Sequence, residues 1–160
     1  MGSDARAAIA ATLATLREAR VATETRAELV RRRFRGVRMV ARGEVWRLGA
    51  LCLDPEGRLY ATGEVLVLTR PTHPNHRSAS ALRRNELRRI AQASRMREGA
   101  TIVLGAVPLD LDAPTPPLVA LADGLGVEWT PGATPTPLGP YLSERAELAA
   151  QTTARRGPQP

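Results

Sequence analysis

The chain has 160 residues, 43% of them hydrophobic and 24% charged, with a formal net charge of +7, the composition of an ordinary globular protein. All 23 basic residues are arginine, which excludes Schiff-base lysines, Gly-Lys-Ser/Thr phosphate loops and Ser-x-x-Lys acyl transfer. No apolar run nears the roughly 20 residues of a membrane span, so no membrane partner is expected.

The pattern from residue 3 to 35 is helical: Ile9, Leu13 and Leu16 recur at helical spacing, and Leu29, Val30 and Phe34 resume it. The β-branched stretch Val21–Thr25 weakens the middle, and Thr25-Arg26-Ala27-Glu28 has capping-box spacing. Ala7–Leu16 runs straight into Arg17-Glu18-Ala19-Arg20, which reads as an amphipathic helix rather than a secretory signal. With a single cysteine, Cys52, this points to a cytoplasmic location.

A short strand at Val37–Ala41 is expected to turn at Gly43. Strands Glu44–Leu53 and Arg58–Thr69 then flank Asp54-Pro55-Glu56-Gly57, a type I turn by its residues. With Leu53 opposite Arg58, the register places Cys52 against Leu59 and Arg47 against Glu64. Ser78 to Glu98 reads as a helix stopped by Gly99, and Thr101–Val107 as a buried strand. Leu118–Ala122 and Leu125–Thr130 flank Asp123-Gly124, a hairpin signal. Pro-rich connectors at 113–117 and 131–140 precede a helix at Tyr141–Gln151, and residues 152–160 read as a disordered tail.

Four groups of residues could carry chemistry. Residues 26–42 hold seven arginines and one acid, including Arg31, Arg32, Arg33, Arg35, Arg38 and Arg42. They form either a phosphate-contacting surface or a cationic last helical turn that complements the helix dipole; the dipole reading is preferred. On the helix 78–98, Arg84, Arg88 and Arg95 lie on the polar face, while Arg83 and Glu86 fall on the apolar side. A nucleic-acid surface built from both arginine sets requires them to be continuous. His73 and His76, with Glu86, are the weak acid–base candidates of an amidase-like hydrolase, although Pro74 forbids a helical pair. Cys52, between Leu51 and Leu53, reads as a buried small hydrophobe. No metal and no cofactor are expected.

The order of segments is itself informative: Gly43-Glu44-Val45-Trp46-Arg47-Leu48, then Leu59–Val65, an Arg-rich helix, Val107-Pro108-Leu109-Asp110-Leu111 and Tyr141–Leu148. It resembles a family of small uncharacterised proteins of high-GC Gram-positive bacteria, over about residues 37–150. Some members carry the label "glutaminase". The resemblance implies a fold and no mechanism. Serine-type glutaminases use Ser-x-x-Lys, and the amidotransferase type needs a cysteine in a Gly-rich elbow, which Ala50-Leu51-Cys52-Leu53 is not.

The expected architecture is one α+β domain over residues 1–151, with a helical segment at 3–35 and sheet and helices over 37–151. Its largely antiparallel sheet has five or six strands, with N-terminal, middle and C-terminal helices. The leading functional expectation is a non-catalytic binding module, self-associating or meeting an anionic partner (a nucleic acid or an acidic protein surface). Residues 1–107 carry +10 and residues 108–160 carry −3, which suits either. The alternatives are a nucleic-acid-associated protein making phosphate contacts and a small hydrolase.

Overall fold

The computed structural model describes residues 2–69 and 78–157. Among these, three helices occur: α1 (Gly2–Glu18), α2 (Ala79–Ala93) and α3 (Leu138–Arg156). The strands are β1 (Glu24–Arg32), β2 (Gly36–Leu48), β3 (Leu51–Leu53), β4 (Leu59–Ala61), β5 (Glu64–Val67), β6 (Thr101–Leu104), β7 (Val107–Pro108), β8 (Leu118–Leu121), β9 (Gly124–Val127) and β10 (Thr136–Pro137). The main sheet has the order β5-β6-β1-β2-β3-β4-β7, and a small sheet the order β10-β9-β8. The fold is α+β, as expected. The main sheet is largely antiparallel with a parallel pair at β1–β6, and it has seven strands rather than five or six. Two compact units can be told apart: Met1–Thr23 with Val45–Thr62 and Val107–Pro160, and Glu24–Glu44 with Gly63–Ala106.

In the first unit, α1 buries Ala5, Ile9, Thr12 and Leu16, one helical stripe, and packs on α3, which buries Leu138, Tyr141, Leu142 and Ala146. Trp46, Leu48, Leu51 and Leu53 join the same core. Each such fully buried leucine contributes about 1.5–3 kcal/mol. Helix α1 ends in a Schellman motif, with Val21 N–H donating to Leu16 O and Arg20 N–H to Arg17 O. The left-handed position, usually glycine, is held by Arg20 at φ +52. Helix α3 runs on to Arg156, so Thr152–Arg156 are helical rather than tail. The Thr152 and Thr153 hydroxyls donate to the carbonyls of Leu148 and Ala149, so both are satisfied within the helix.

The Asp54–Gly57 turn forms where expected, with a consequence for register. Gly57 N–H donates to Asp54 O and Asp54 N–H to Arg58 O, so Gly57, at φ +85, is the extra residue of a G1 bulge. That residue moves the pairing by one: Leu53 faces Leu59 and Cys52 faces Tyr60. The expected strand 44–53 also folds back on itself. Gly49 and Ala50 form a two-residue turn, so Trp46 faces Leu53 and Arg47 faces Cys52 rather than Glu64. The Tyr141 hydroxyl holds this turn, accepting from Ala50 N–H at 2.9 Å and donating to Leu48 O at 2.9 Å. Asp54 is 3% exposed. One of its oxygens accepts from Glu56 N–H and Arg58 N–H, the other from Arg58 Nε and Tyr60 Oη.

The second unit departs further from expectation. The segment 3–35 is not all helix, because Glu24–Arg32 is strand β1. Helical spacing there rested on three apolar residues. Alternation around fully buried Ala27 and a parallel neighbour, with Thr25 opposite Ile102 and Ala27 opposite Leu104, outweighs it. A turn at 33–35, closed by Arg35 N–H to Arg32 O, leads into β2, which runs through Gly43 instead of turning there. Helix α2 starts at the Ser78 cap as expected but stops at Ala93, with Arg95 at φ +59 in a second Schellman motif. Leu87 and Ala91 of α2 pack with Ala27, Met39, Leu66 and Ile102, so α2 covers one face of β5-β6-β1-β2.

Candidate nucleic-acid interface

β1 and β2 form a hairpin whose far end is a two-stranded arm. β6 accompanies β1 only along Thr25–Ala27, and β3 accompanies β2 only along Trp46–Leu48. Residues 28–32 therefore have, among the described residues, only β2 beside them. Ser94 Oγ accepts the Met39 N–H at 2.9 Å, which fastens the arm to the end of α2. Beyond Met39 the ribbon continues for three residues, about 10 Å at strand rise, before the turn.

The arm's arginines divide by partner. Near its base, Arg26 donates to Arg42 O at 2.9 Å and Arg42 pairs with Glu28 at 3.1 Å. Farther out, none of Arg31, Arg32, Arg33, Arg35 and Arg38 takes part in an ion pair among the described residues. By contrast Arg6, Arg58, Arg83 and Arg89 each have a carboxylate partner within 4 Å: Asp112, Asp54, Glu64 and Glu86. Like charges gathered on one hairpin repel one another in the free protein, and a polyanion relieves that repulsion. The dipole-capping expectation for Arg31–Arg35 is overturned, because these residues end a strand rather than a helix.

Phe34, at the tip, is 92% exposed and is the only phenylalanine in the chain. The Arg33 guanidinium lies 6.0 Å from its ring centroid, the outer limit of a cation–π contact. By strand alternation, Arg26, Val30 and Arg32 of β1 lie on the face opposite Ala27, and Arg38, Val40 and Arg42 of β2 on the face opposite Met39. Val65 and Val67 of β5, at 38% and 43% exposure, alternate in the same way with buried Leu66. This face, opposite α2, also carries Glu28, which pairs with Arg42.

Arg84, Arg88 and Arg95 belong to the α2 layer, on the other side of the sheet. Arg84 Nε donates to Ser80 O, and Arg88 to Val67 O and Asn85 Oδ1. By alternation Arg31 shares α2's side with Ala27 while Arg32 and Arg38 lie on the other, so the structure does not place all of the two arginine sets on one face. Arg83 and Glu86 are not a buried pair: Arg83 reaches Glu64 at 2.9 Å and Glu86 reaches Arg89 at 3.4 Å, all on exposed or half-exposed side chains. His73 and His76 lie outside the described residues. Cys52 is fully buried, its sulfur 3.4 Å from Thr62 Oγ1. Among the described residues no three His, Cys, Asp or Glu side chains gather as a metal site. No helix among them is long and apolar enough to cross a membrane.

Open grooves of the first unit include two lined by arginines. One of about 320 Å³ lies between Arg6, Ile9, Arg58 and Asp110, with Arg6 paired to Asp112 and Arg58 to Asp54. The other, about 410 Å³, is lined by Arg20, Ala22, Thr153 and Arg156. What sequence reasoning missed is the exposure of Phe34, counted there among apolar helical positions. The signal was present in Gly36, which follows Arg33-Phe34-Arg35 as a turn residue, and in the alternation Thr25, Ala27, Leu29. Compared with known protein families, with curated proteins and with solved structures, the chain matches none.

Proposed function

We propose that this protein is a non-catalytic binding module that holds nucleic acid by its phosphates through the β1–β2 arm. The observation that carries the reading is the set of five arginines on one projecting ribbon with no carboxylate partner among the described residues. Guanidinium stays charged at any working pH and matches phosphate with a planar fork. A two-stranded ribbon is narrow enough to enter a groove or lie along a strand. Contacts of this kind are indifferent to sequence, so weak specificity is part of the proposal. The hydrolase alternative retains only Glu86 among the described residues, and that carboxylate is engaged by Arg89 on an exposed helix face. The resemblance to small bacterial proteins lends no catalytic residue to either reading.

The test is fluorescence anisotropy with random-sequence duplex and single-stranded oligonucleotides across a salt series. Five phosphate contacts give a slope of log K against log salt of about −4.5 for duplex and about −3.5 for single strand. Absence of binding at the lowest salt, or a slope shallower than about −1, overturns the proposal.

A further inference from the structure

We infer that the tip of the arm is a base-stacking device, with Phe34 stacking on an unpaired base while the flanking arginines hold the phosphates on either side. The inference rests on the phosphate-binding reading above and names the class of nucleic acid: single-stranded or locally unpaired. A phenylalanine left 92% exposed forgoes the roughly 1.5–3 kcal/mol that burial returns, and the Arg33 guanidinium, at the outer limit of a cation–π contact, leaves the ring open to solvent. The turn Arg33-Phe34-Arg35 sets cations immediately before and after the ring, and Arg31 and Arg32 precede it on β1. The bond from Arg35 N–H to Arg32 O closes the turn with one arginine on either side of the ring, an arrangement that suits a single strand with its base on the ring and its phosphates on the cations. Every base has a π-face, so such stacking adds affinity without sequence preference, in keeping with an interface that otherwise meets phosphate alone.

An anionic lipid surface is the other partner a basic tip with one apolar residue could meet. The tip favours nucleic acid because the residues that flank Phe34 in sequence, Arg31, Arg32, Arg33 and Arg35, are all cationic. One ring gives a membrane anchor little apolar area. An aromatic ring also offers a base a flat π-face to stack on, which a lipid headgroup cannot use.

The experiment compares four fluorescent or scattering probes at one low salt concentration. They are a mixed-sequence single strand of about 12 nucleotides, an abasic strand of equal length and charge, the matching duplex, and phosphatidylcholine vesicles with about a third phosphatidylglycerol. The proteins are wild type, Phe34→Ala, Phe34→Leu and Phe34→Trp; at a position this exposed each variant keeps the wild-type melting temperature. The inference predicts that wild type binds the base-bearing strand about tenfold more tightly than the abasic one. Phe34→Ala and Phe34→Leu both abolish that preference with the salt slope unchanged, and Phe34→Trp retains it. Equal affinity of wild type for abasic and base-bearing strands overturns the stacking role and leaves the phosphate reading standing. Retention of the preference in Phe34→Leu also overturns it, since leucine inserts but does not stack. Binding to vesicles with none to any oligonucleotide overturns both readings.

Discussion

Replacing Asp54 tests whether the buried polar knot at 54–60 fixes the hairpin register of the first unit. Alanine there removes the acceptor for four donors. The Tyr60 hydroxyl then loses its bond to Asp54, 3.0 Å long and in a buried setting, at a cost of about 1–3 kcal/mol. The Glu56 and Arg58 amides lie at the turn and regain water, so each contributes about 0.5–1 kcal/mol. The exposed guanidinium of Arg58 adds nothing to this figure. The expected loss for Asp54→Ala is about 3 kcal/mol, and for Asp54→Asn, which keeps an acceptor for the turn amides, about 1 kcal/mol. Urea titration followed by tryptophan fluorescence reads this directly, because Trp46 is buried in the same core with Nε1–H donating to Val21 O. Burial alone pushes the Asp54 carboxyl up, but bonds from the Arg58 amide, the Arg58 guanidinium and the Tyr60 hydroxyl outweigh it and hold the group below its ordinary 3.8. The unfolded chain therefore takes up the proton first. Stability from Asp54 is complete well above 3.8 and is lost as the pH falls below that value and through the folded-state pKa. Asp54→Asn removes this component of acid sensitivity. An Asp54→Ala protein within about 0.5 kcal/mol of wild type, or an unchanged acid limb in Asp54→Asn, refutes the reasoning.

Three further substitutions follow from the same structure. Arg20→Gly and Arg95→Gly place glycine where two Schellman motifs hold arginine at positive φ, and each is expected to stabilise its unit by about 0.5–1 kcal/mol in denaturant titration; destabilisation by either argues that the arginine side chain is itself held. Tyr141→Phe removes the hydroxyl that bridges Leu48 O and Ala50 N–H and is expected to cost about 2 kcal/mol. It should also raise hydrogen exchange at Ala50, whereas an unchanged exchange rate there contradicts the clamp.

The legible parts of this fold were those set by local chemistry. Asp-Pro-Glu-Gly specified its turn, Ser78 its helix start, and the Asp123-Gly124 signal a hairpin, although the two turn residues are Ala122 and Asp123, with Leu121 paired to Gly124. What escaped depended on distant partners. Residues 44–53 read as one strand because Gly49-Ala50 sits among apolar neighbours, and the fold-back is held by residues beyond it: Thr62, which donates to Gly49 O and Ala50 O, and Tyr141, far along the chain. The G1 bulge at Gly57 shifts a register by one residue, which counting outward from a four-residue turn cannot see. β1 looked helical because its strand identity comes from β6, more than seventy residues later. The candidate interface shared that fate. The arginine run was visible in sequence, but placing it on a helix end supplied a false reason for its charge, and the exposed ring at its centre became meaningful only once the segment was a hairpin tip.

The proposed function assigns the anionic partner to the arm and not to the arginine-rich helix. The most direct measurement compares Arg31→Gln/Arg32→Gln/Arg33→Gln/Arg35→Gln with Arg84→Gln/Arg88→Gln/Arg95→Gln in the same anisotropy salt series. The arm variant is predicted to flatten the duplex slope by about 3.6, the value for four contacts removed, while the helix variant keeps the wild-type slope. Equal flattening in both variants, or an arm variant that binds as wild type does, contradicts the account.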